Sequence, residues 1–416
     1  MTKHENNLTQ DFEIVGEWYL PDSEEKIAGL YRFQKGQSTI KLSKPIVSDS
    51  LQNLMKREEI DTIHGNTSLG KVTLTNVHLR YPFNFGSVYT AIFGSHLDSQ
   101  HTLEGISCSF EGLTKWTQPQ MPPLMKKTLT ESLTEDRSKR ISFEHAGNTC
   151  MLFATTTFGI DVYTGIKISP VSKFSVKTKE GKSFNKLFDY VQGFRYFLQL
   201  IMGTKVELTE MAAYNFDVSR LDDRIFLPVI QENYDDKWSD QNYFFHLKDI
   251  ESDFPKILKK WFEFYFNNKY MLKIFFETFT TTYIESTDFF VQAPILDGFY
   301  ISEKSDDDSK YVDRLRHIFS VFESDFSNLD DFIITIVDMR RKNLHFKTRV
   351  DMDETVLHQI SHDLHFMIRI LFLKYIDIDI LPFVTHFYTR FLFLKSNRPL
   401  GSEKEKTPPN TSTTKV

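Results

Sequence analysis

Between residues 10 and about 170 the apolar and polar positions alternate in short runs. Gly29-Leu30-Tyr31-Arg32-Phe33, Ser38-Thr39-Ile40-Lys41-Leu42 and Lys71-Val72-Thr73-Leu74 repeat with period two. That spacing puts one face of a strand into a core and the other into water. Runs of the same kind cover 87–93, 103–110, 140–144, 150–156 and 165–168, with Gly, Asn and Pro between them as turn residues. Many short strands at this spacing predict a β sandwich or barrel. The stretch from Pro119 to Lys139 is polar and reads as a long loop.

The period changes near Ser183. Phe184, Leu187, Val191, Phe194, Leu198 and Ile201 fall at helical spacing, and Gly203 is placed to cap the helix. Short β-like patches follow at 205–214 and 225–230. From Asp253 the pattern is helical throughout. Phe254, Ile257, Leu258, Trp261 and Tyr265 make one stripe, and further helices are expected over 268–281, 286–302, 310–322, 329–345, 352–376 and 381–394. The Asp run ending at Asp308 reads as a solvated loop, and the polar tail from 396 to 416 as disordered. The fold class expected is α+β: a β-rich sandwich or barrel-like domain at 10–180, a connecting helix and short β segment at 183–250, and an all-α bundle at 251–395.

Composition narrows the function classes. The chain has 416 residues, 40% hydrophobic and 25% charged, enough for more than one core. Its net charge is −6, so any contact with nucleic acid must come from a local patch. The two cysteines, Cys108 and Cys150, form no CxxC, which excludes a cysteine zinc cluster and points to a reducing compartment. The N-terminus is polar and lacks a signal-peptide core. The most apolar stretch, Phe366 to Val384, carries Arg369, Lys374, Asp377 and Asp379, which fits a buried helix better than a membrane span. A cytoplasmic protein without membrane contact is expected.

One short stretch carries candidate chemistry: Asp338-Met339-Arg340-Arg341-Lys342-Asn343-Leu344-His345. Arg offers a permanent, forked charge for phosphate oxygens, and His can take and give protons near neutral pH. On an ideal helix, positions i and i+5 lie about 140° apart and i and i+4 about 40° apart. Arg341 therefore shares a face with His345, and Arg340 does not. For Arg340 and His345 to act on one phosphate, the helix must end or distort near Leu344, or two subunits must pool their residues. Arg340, Arg341, Lys342, Lys347 and Arg349 form a basic patch offset nearby only by Asp338 and Asp351. A solvated helix end explains the same charges equally well.

The next helix carries His358, His362, His365 and Arg369 on one face, opposite Leu357, Ile360, Leu364, Met367, Leu371 and Tyr375. A His pair at i, i+4 can hold zinc, but His358-Gln359-Ile360-Ser361-His362 lacks the Glu of a HExxH site, and no metal is expected there. That face reads as exposed or as lining the Arg/His cleft. Phosphate-loop, dinucleotide, nucleophile-elbow and kinase motifs are absent. His64-Gly65 reads as structural.

Val337-Asp338-Met339-Arg340-Arg341-Lys342-Asn343-Leu344-His345 resembles the V-D-x-R-N-x-x-x-H helix end of HEPN-domain ribonucleases of the ApeA type. Phe254-Pro255-Lys256-Ile257-Leu258-Lys259-Lys260-Trp261-Phe262 is similar to that domain's opening segment. Phe290-Val291-Gln292-Ala293-Pro294-Ile295-Leu296 resembles its central FLQALE helix, from which Pro294 and Asp297 depart. Gly16-Glu17-Trp18-Tyr19-Leu20-Pro21, Gly29-Leu30, Ile63-His64-Gly65, Lys71-Val72-Thr73-Leu74 and Ser109-Phe110-Glu111-Gly112-Leu113-Thr114-Lys115-Trp116 resemble the ApeA N-terminal domain.

The resemblance implies a C-terminal HEPN bundle and a metal-independent endoribonuclease of anti-phage abortive infection that needs no cofactor. It would cut RNA, with tRNA among the candidate substrates, by 2′-OH attack, leaving 2′,3′-cyclic phosphate. It assigns Arg340 and His345 to catalysis. Arg341, Lys342, Asn343, Lys347 and Arg349 would contact RNA, and His358, His362 and His365 are accessory candidates. It also implies a homodimer through the HEPN domain and an N-terminal domain that senses a phage-derived trigger. The family usually has Asn, Asp or His after the motif Arg, and this chain has Arg341. A catalytically inactive HEPN module that binds RNA or a partner is the alternative.

Overall fold

The computed structural model describes residues 11–34, 36–46, 57–80, 84–97, 102–118, 138–161, 165–214, 223–226, 244–279, 288–304, 309–323, 328–344, 354–378 and 394. The polar tail, the Asp run at 306–308 and most of the helix expected at 381–394 lie outside them. The chain packs as two compact units, Met1–Lys269 and Tyr270–Val416.

The first unit holds twelve described strands, β1 (Phe12–Tyr19), β2 (Ile27–Gln34), β3 (Gln37–Leu42), β4 (Arg57–Thr67), β5 (Gly70–Arg80), β6 (Phe85–Phe93), β7 (Leu103–Phe110), β8 (Lys139–His145), β9 (Asn148–Asp161), β10 (Gly165–Lys182), β11 (Leu208–Tyr214) and β12 (Asp223–Phe226). They run β3-β2-β1-β4-β5-β6-β12-β11-β7-β10-β9-β8, and β3 also pairs with β6. The first six strands therefore close into a barrel, as the alternation predicts. β6 divides one edge: Gly86 and Ser87 face β3, while Ala91 to Phe93 face β12. Closure leaves the barrel without free edges along that seam.

The barrel interior is filled. Trp18, Tyr31, Phe33, Ile40, Ile63, Val72 and Leu74 have essentially no exposed surface. Gly65 makes room for Trp18: a Cβ at that position would come within 2.4 Å of the indole ring. A glycine in a strand at a close approach has this meaning.

The second part of the sheet is covered by α1 (Leu113–Thr117), α2 (Phe184–Met202) and, after the short α3 (Leu247–Ile250) that packs on α1, by α4 (Phe254–Asn267). Gly203 ends α2 in the left-handed conformation at φ 70°, its N–H donating to the Gln199 carbonyl at 2.7 Å. α2 rests on β7 and β10, with Phe174 and Phe194 stacked at 4.0 Å. α4 packs on α2 and β8, so this stripe, expected to open the helical domain, lies in the first unit.

The second unit is helical in its described residues: α5 (Lys269–Glu277), α6 (Phe289–Lys304), α7 (Tyr311–Phe319), a short 3-10 turn at Ser320–Phe322, α8 (Leu329–Leu344) and α9 (Glu354–Tyr375). α6 packs on α7, α8 and α9, and α7 on α8. Among the described residues no helix is long and apolar enough to cross a membrane.

Candidate active site

Three helices of the second unit meet around Arg340. α8 begins with Asp330 and Asp331 in its first turn, where carboxylates favour the positive end of the helix dipole. Its apolar residues Phe332, Ile333, Ile336 and Met339 are buried. Arg340, the residue after Met339, sits at the margin of this core with 28% of its side chain exposed.

The guanidinium of Arg340 is held on two sides. Its Nη2 donates to Asp297 Oδ2 on α6 at 3.4 Å. Its Cζ lies 3.9 Å from the ring centroid of Tyr311, the first residue of α7, a close cation–π stack. Asp297 Oδ1 accepts from Arg314 Nη1 at 2.9 Å, so one carboxylate serves two guanidiniums. The Tyr311 hydroxyl donates to the Ala293 carbonyl of α6 at 2.9 Å. Burial holds the Tyr311 phenol well above its ordinary pKa, with the Arg340 charge acting against that shift. The ring presents a neutral face to Arg340 at physiological pH.

Arg341 takes a different direction. Its side chain is 70% exposed and pairs with Asp338 at 3.2 Å, one helical turn back. The divergence of Arg340 and Arg341 is what the helical angles require. Lys342 and Asn343 continue α8, which is described to Leu344. His345, Lys347 and Arg349 lie outside the described residues.

Two family models fit this chain in sequence order, ApeA N-terminal domain 1 over residues 13–261 and Apea-like HEPN over residues 260–379. The chain belongs to the ApeA-like HEPN family. No curated protein and no solved structure matches it. The ApeA N-terminal match covers the closed barrel, the rest of the sheet, α2 and part of α4. The Apea-like HEPN match covers α5 to α9, including Arg340 and the stretch through His345. At the level of the family, the pair supports a HEPN-type nuclease in anti-phage defence.

The accessory face of the ApeA-like HEPN domain differs from expectation. His358 is exposed and His362 half-buried, but His365 is 3% exposed and Arg369 2%. The cause lies on α5 and just beyond it: Phe279 and Phe275 pack on His365 with ring centroids at 4.5 and 5.8 Å. Burial, then the charge of Arg369, holds the His365 imidazole well below its ordinary pKa. The face thus enters the core as α9 proceeds. Asp363, fully buried, accepts the Leu394 N–H at 2.9 Å, and Asn328 Nδ2 donates to the Leu394 carbonyl at 3.1 Å. Among the described residues no group of three His, Cys, Asp or Glu side chains could hold a metal ion.

Sequence reasoning missed Asp297, Tyr311 and Arg314 as site residues. Asp297 left one signal: it is the only charge in Phe289-Phe290-Val291-Gln292-Ala293-Pro294-Ile295-Leu296-Asp297-Gly298-Phe299. A lone carboxylate in an apolar helix needs a partner.

Proposed function

We propose that this protein is a metal-independent HEPN endoribonuclease acting in abortive infection against phage. The observation that carries the reading is Arg340, a fork held at the margin of the helical core five positions before a histidine, in a chain matched by both family models. RNA supplies its own nucleophile. The 2′-OH attacks the adjacent phosphorus, its proton passes to a base, and the 5′-oxygen leaves with a proton from an acid. The products are a 2′,3′-cyclic phosphate and a 5′-OH. His345 is the general acid/base, and Arg340 neutralises the charge that builds on the phosphorane oxygens. Arg341, Lys342, Asn343, Lys347 and Arg349 hold the RNA backbone. Two subunits pair through the HEPN domain in the cytoplasm, and the β-rich half restrains the nuclease until a phage-derived trigger arrives.

The test is incubation of purified full-length protein with total RNA, with and without EDTA, followed by end-group analysis. Cleavage should survive the chelator and leave cyclic phosphate. His345→Ala and Arg340→Ala should abolish it in folded protein, and Arg340→Lys should restore little, because Lys lacks the planar fork. Full activity in folded His345→Ala would remove the central claim. Arrest by EDTA with rescue by Mn²⁺ or Zn²⁺ would move attention to His358 and His362. Arg341, where the family usually has a polar residue, favours the second reading, a binding module without cleavage. Expression separates the two, since only a nuclease should arrest growth once triggered.

A further inference from the structure

Arg340 does not hold its position alone. Among the described residues its one hydrogen bond leaves from Nη2, and no described residue accepts from Nε or Nη1. Asp297 carries one negative charge against the two positive charges of Arg314 and Arg340. The shorter bond, 2.9 Å, goes to Arg314, and the longer, 3.4 Å, to Arg340. Arg314 is itself fixed, its Nε donating to the Ser309 carbonyl at 3.0 Å. The carboxylate is thus oriented from behind by an arginine that the chemistry does not need. The Tyr311 ring covers one face of Arg340, and its hydroxyl is tied to α6 through Ala293. The Arg340 side chain as a whole stays part-exposed.

We infer that Asp297, Tyr311 and Arg314 are positioning residues that fix the plane of the Arg340 guanidinium, leaving its free edge for the scissile phosphate. This rests on the function proposed above. Positioning matters because a clamp misplaced by about 1 Å can cost on the order of 100-fold in rate.

Steady-state cleavage of a synthetic RNA oligonucleotide that the full-length parent cuts is the measurement. Asp297→Asn and Tyr311→Leu should each lower kcat by roughly 10- to 100-fold and change KM by less than about 3-fold, because the clamp acts in the transition state. Tyr311→Phe keeps the ring face and should recover most of the rate lost by Tyr311→Leu. On an Arg340→Lys background, where no fork remains to be aimed, Asp297→Asn and Tyr311→Leu should each cost less than about 3-fold.

Thermal melts of every variant control for folding. Equal losses on both backgrounds, tracking a lowered melting temperature, would show a structural role and overturn the inference. So would a parent that loses cleavage with Arg340→Ala yet is untouched by Asp297→Asn and Tyr311→Leu. A parent that cuts no RNA, purified or in phage-infected cells, or an Arg340→Ala variant that cuts normally, would instead overturn the proposed function, and this inference with it.

Discussion

Gly193 in α2 and Gly298 in α6 are both helical glycines, and alanine should have opposite effects on stability at the two. A Cβ at Gly193 would lie 2.8 Å from Phe262 Cε1 and 2.9 Å from Tyr265 Cδ1 on α4. Carbon pairs settle at about 3.5–4.0 Å, so the helices must separate by roughly half an ångström or more. Neither ring can turn aside cheaply: Phe262 is fully buried and packed against Phe143, Phe174 and Tyr190. Overpacking of this kind costs about 1–3 kcal/mol. Separation also lengthens the 2.7 Å bond from Trp261 Nε1 to the Gly193 carbonyl, worth about 1 kcal/mol. Helix propensity returns about 1 kcal/mol. The net loss is about 1–3 kcal/mol, a fall of roughly 2–12 °C for a unit of this size. At Gly298 the nearest atoms are Met271 Sδ at 3.5 Å and Cγ at 3.9 Å, ordinary contact distances. There Gly→Ala should gain up to about 1 kcal/mol. Calorimetry of the full chain, with hydrogen exchange assigning each transition to its unit, reads both. A Gly193→Ala protein as stable as the parent, or a shift of the same sign at both sites, would refute the packing argument.

His365 makes the helical unit sensitive to acid. Its folded pKa is depressed, so below about pH 6.5 the unfolded chain binds a proton that the folded chain refuses, and stability falls as pH falls, by up to about 1.4 kcal/mol per pH unit. His365→Leu should flatten that slope in urea unfolding between about pH 6.5 and 4.5, and an unchanged slope would contradict it. Arg341→Ala should leave the melting temperature within about 2 °C, because the side chain is exposed and its ion pair solvated. It should, however, reduce the slope of log affinity against log salt by about 1 for a 2′-O-methyl RNA. An unchanged slope would take Arg341 off the phosphate backbone.

The barrel was legible because its strands alternate. Ile27 to Gln34 and Gln37 to Leu42 each bury every second residue over much of their length. β4 was harder to single out. Arg57-Glu58-Glu59 at its start reads as a solvated segment, and its strand character comes from pairing with β1 and β5 on its two edges. The site was half legible. Arg340 carried its own chemical signal, but Tyr311 and Arg314 look like ordinary surface-helix residues until α7 is laid against α8. The burial of His365 was hidden for the same reason: Phe275 and Phe279 belong to another part of the chain, and a helical wheel of α9 contains neither.

The divided edge of β6 bears on how the chain can be made. During synthesis the six strands of the barrel emerge first and can close through β3. The far half of the β6 edge, at Ala91 to Phe93, then waits for Arg224 to Phe226, which come from the ribosome much later. Until then an apolar strand end stands open to pairing with a neighbouring nascent chain. A chain cut anywhere between β7 and β12 keeps that open edge permanently. A chain begun near Ser183 carries β11 and β12 without the strands they pair with, β7 and β6. The barrel is complete as a shape early, but protected as a surface only once residue 226 is in place.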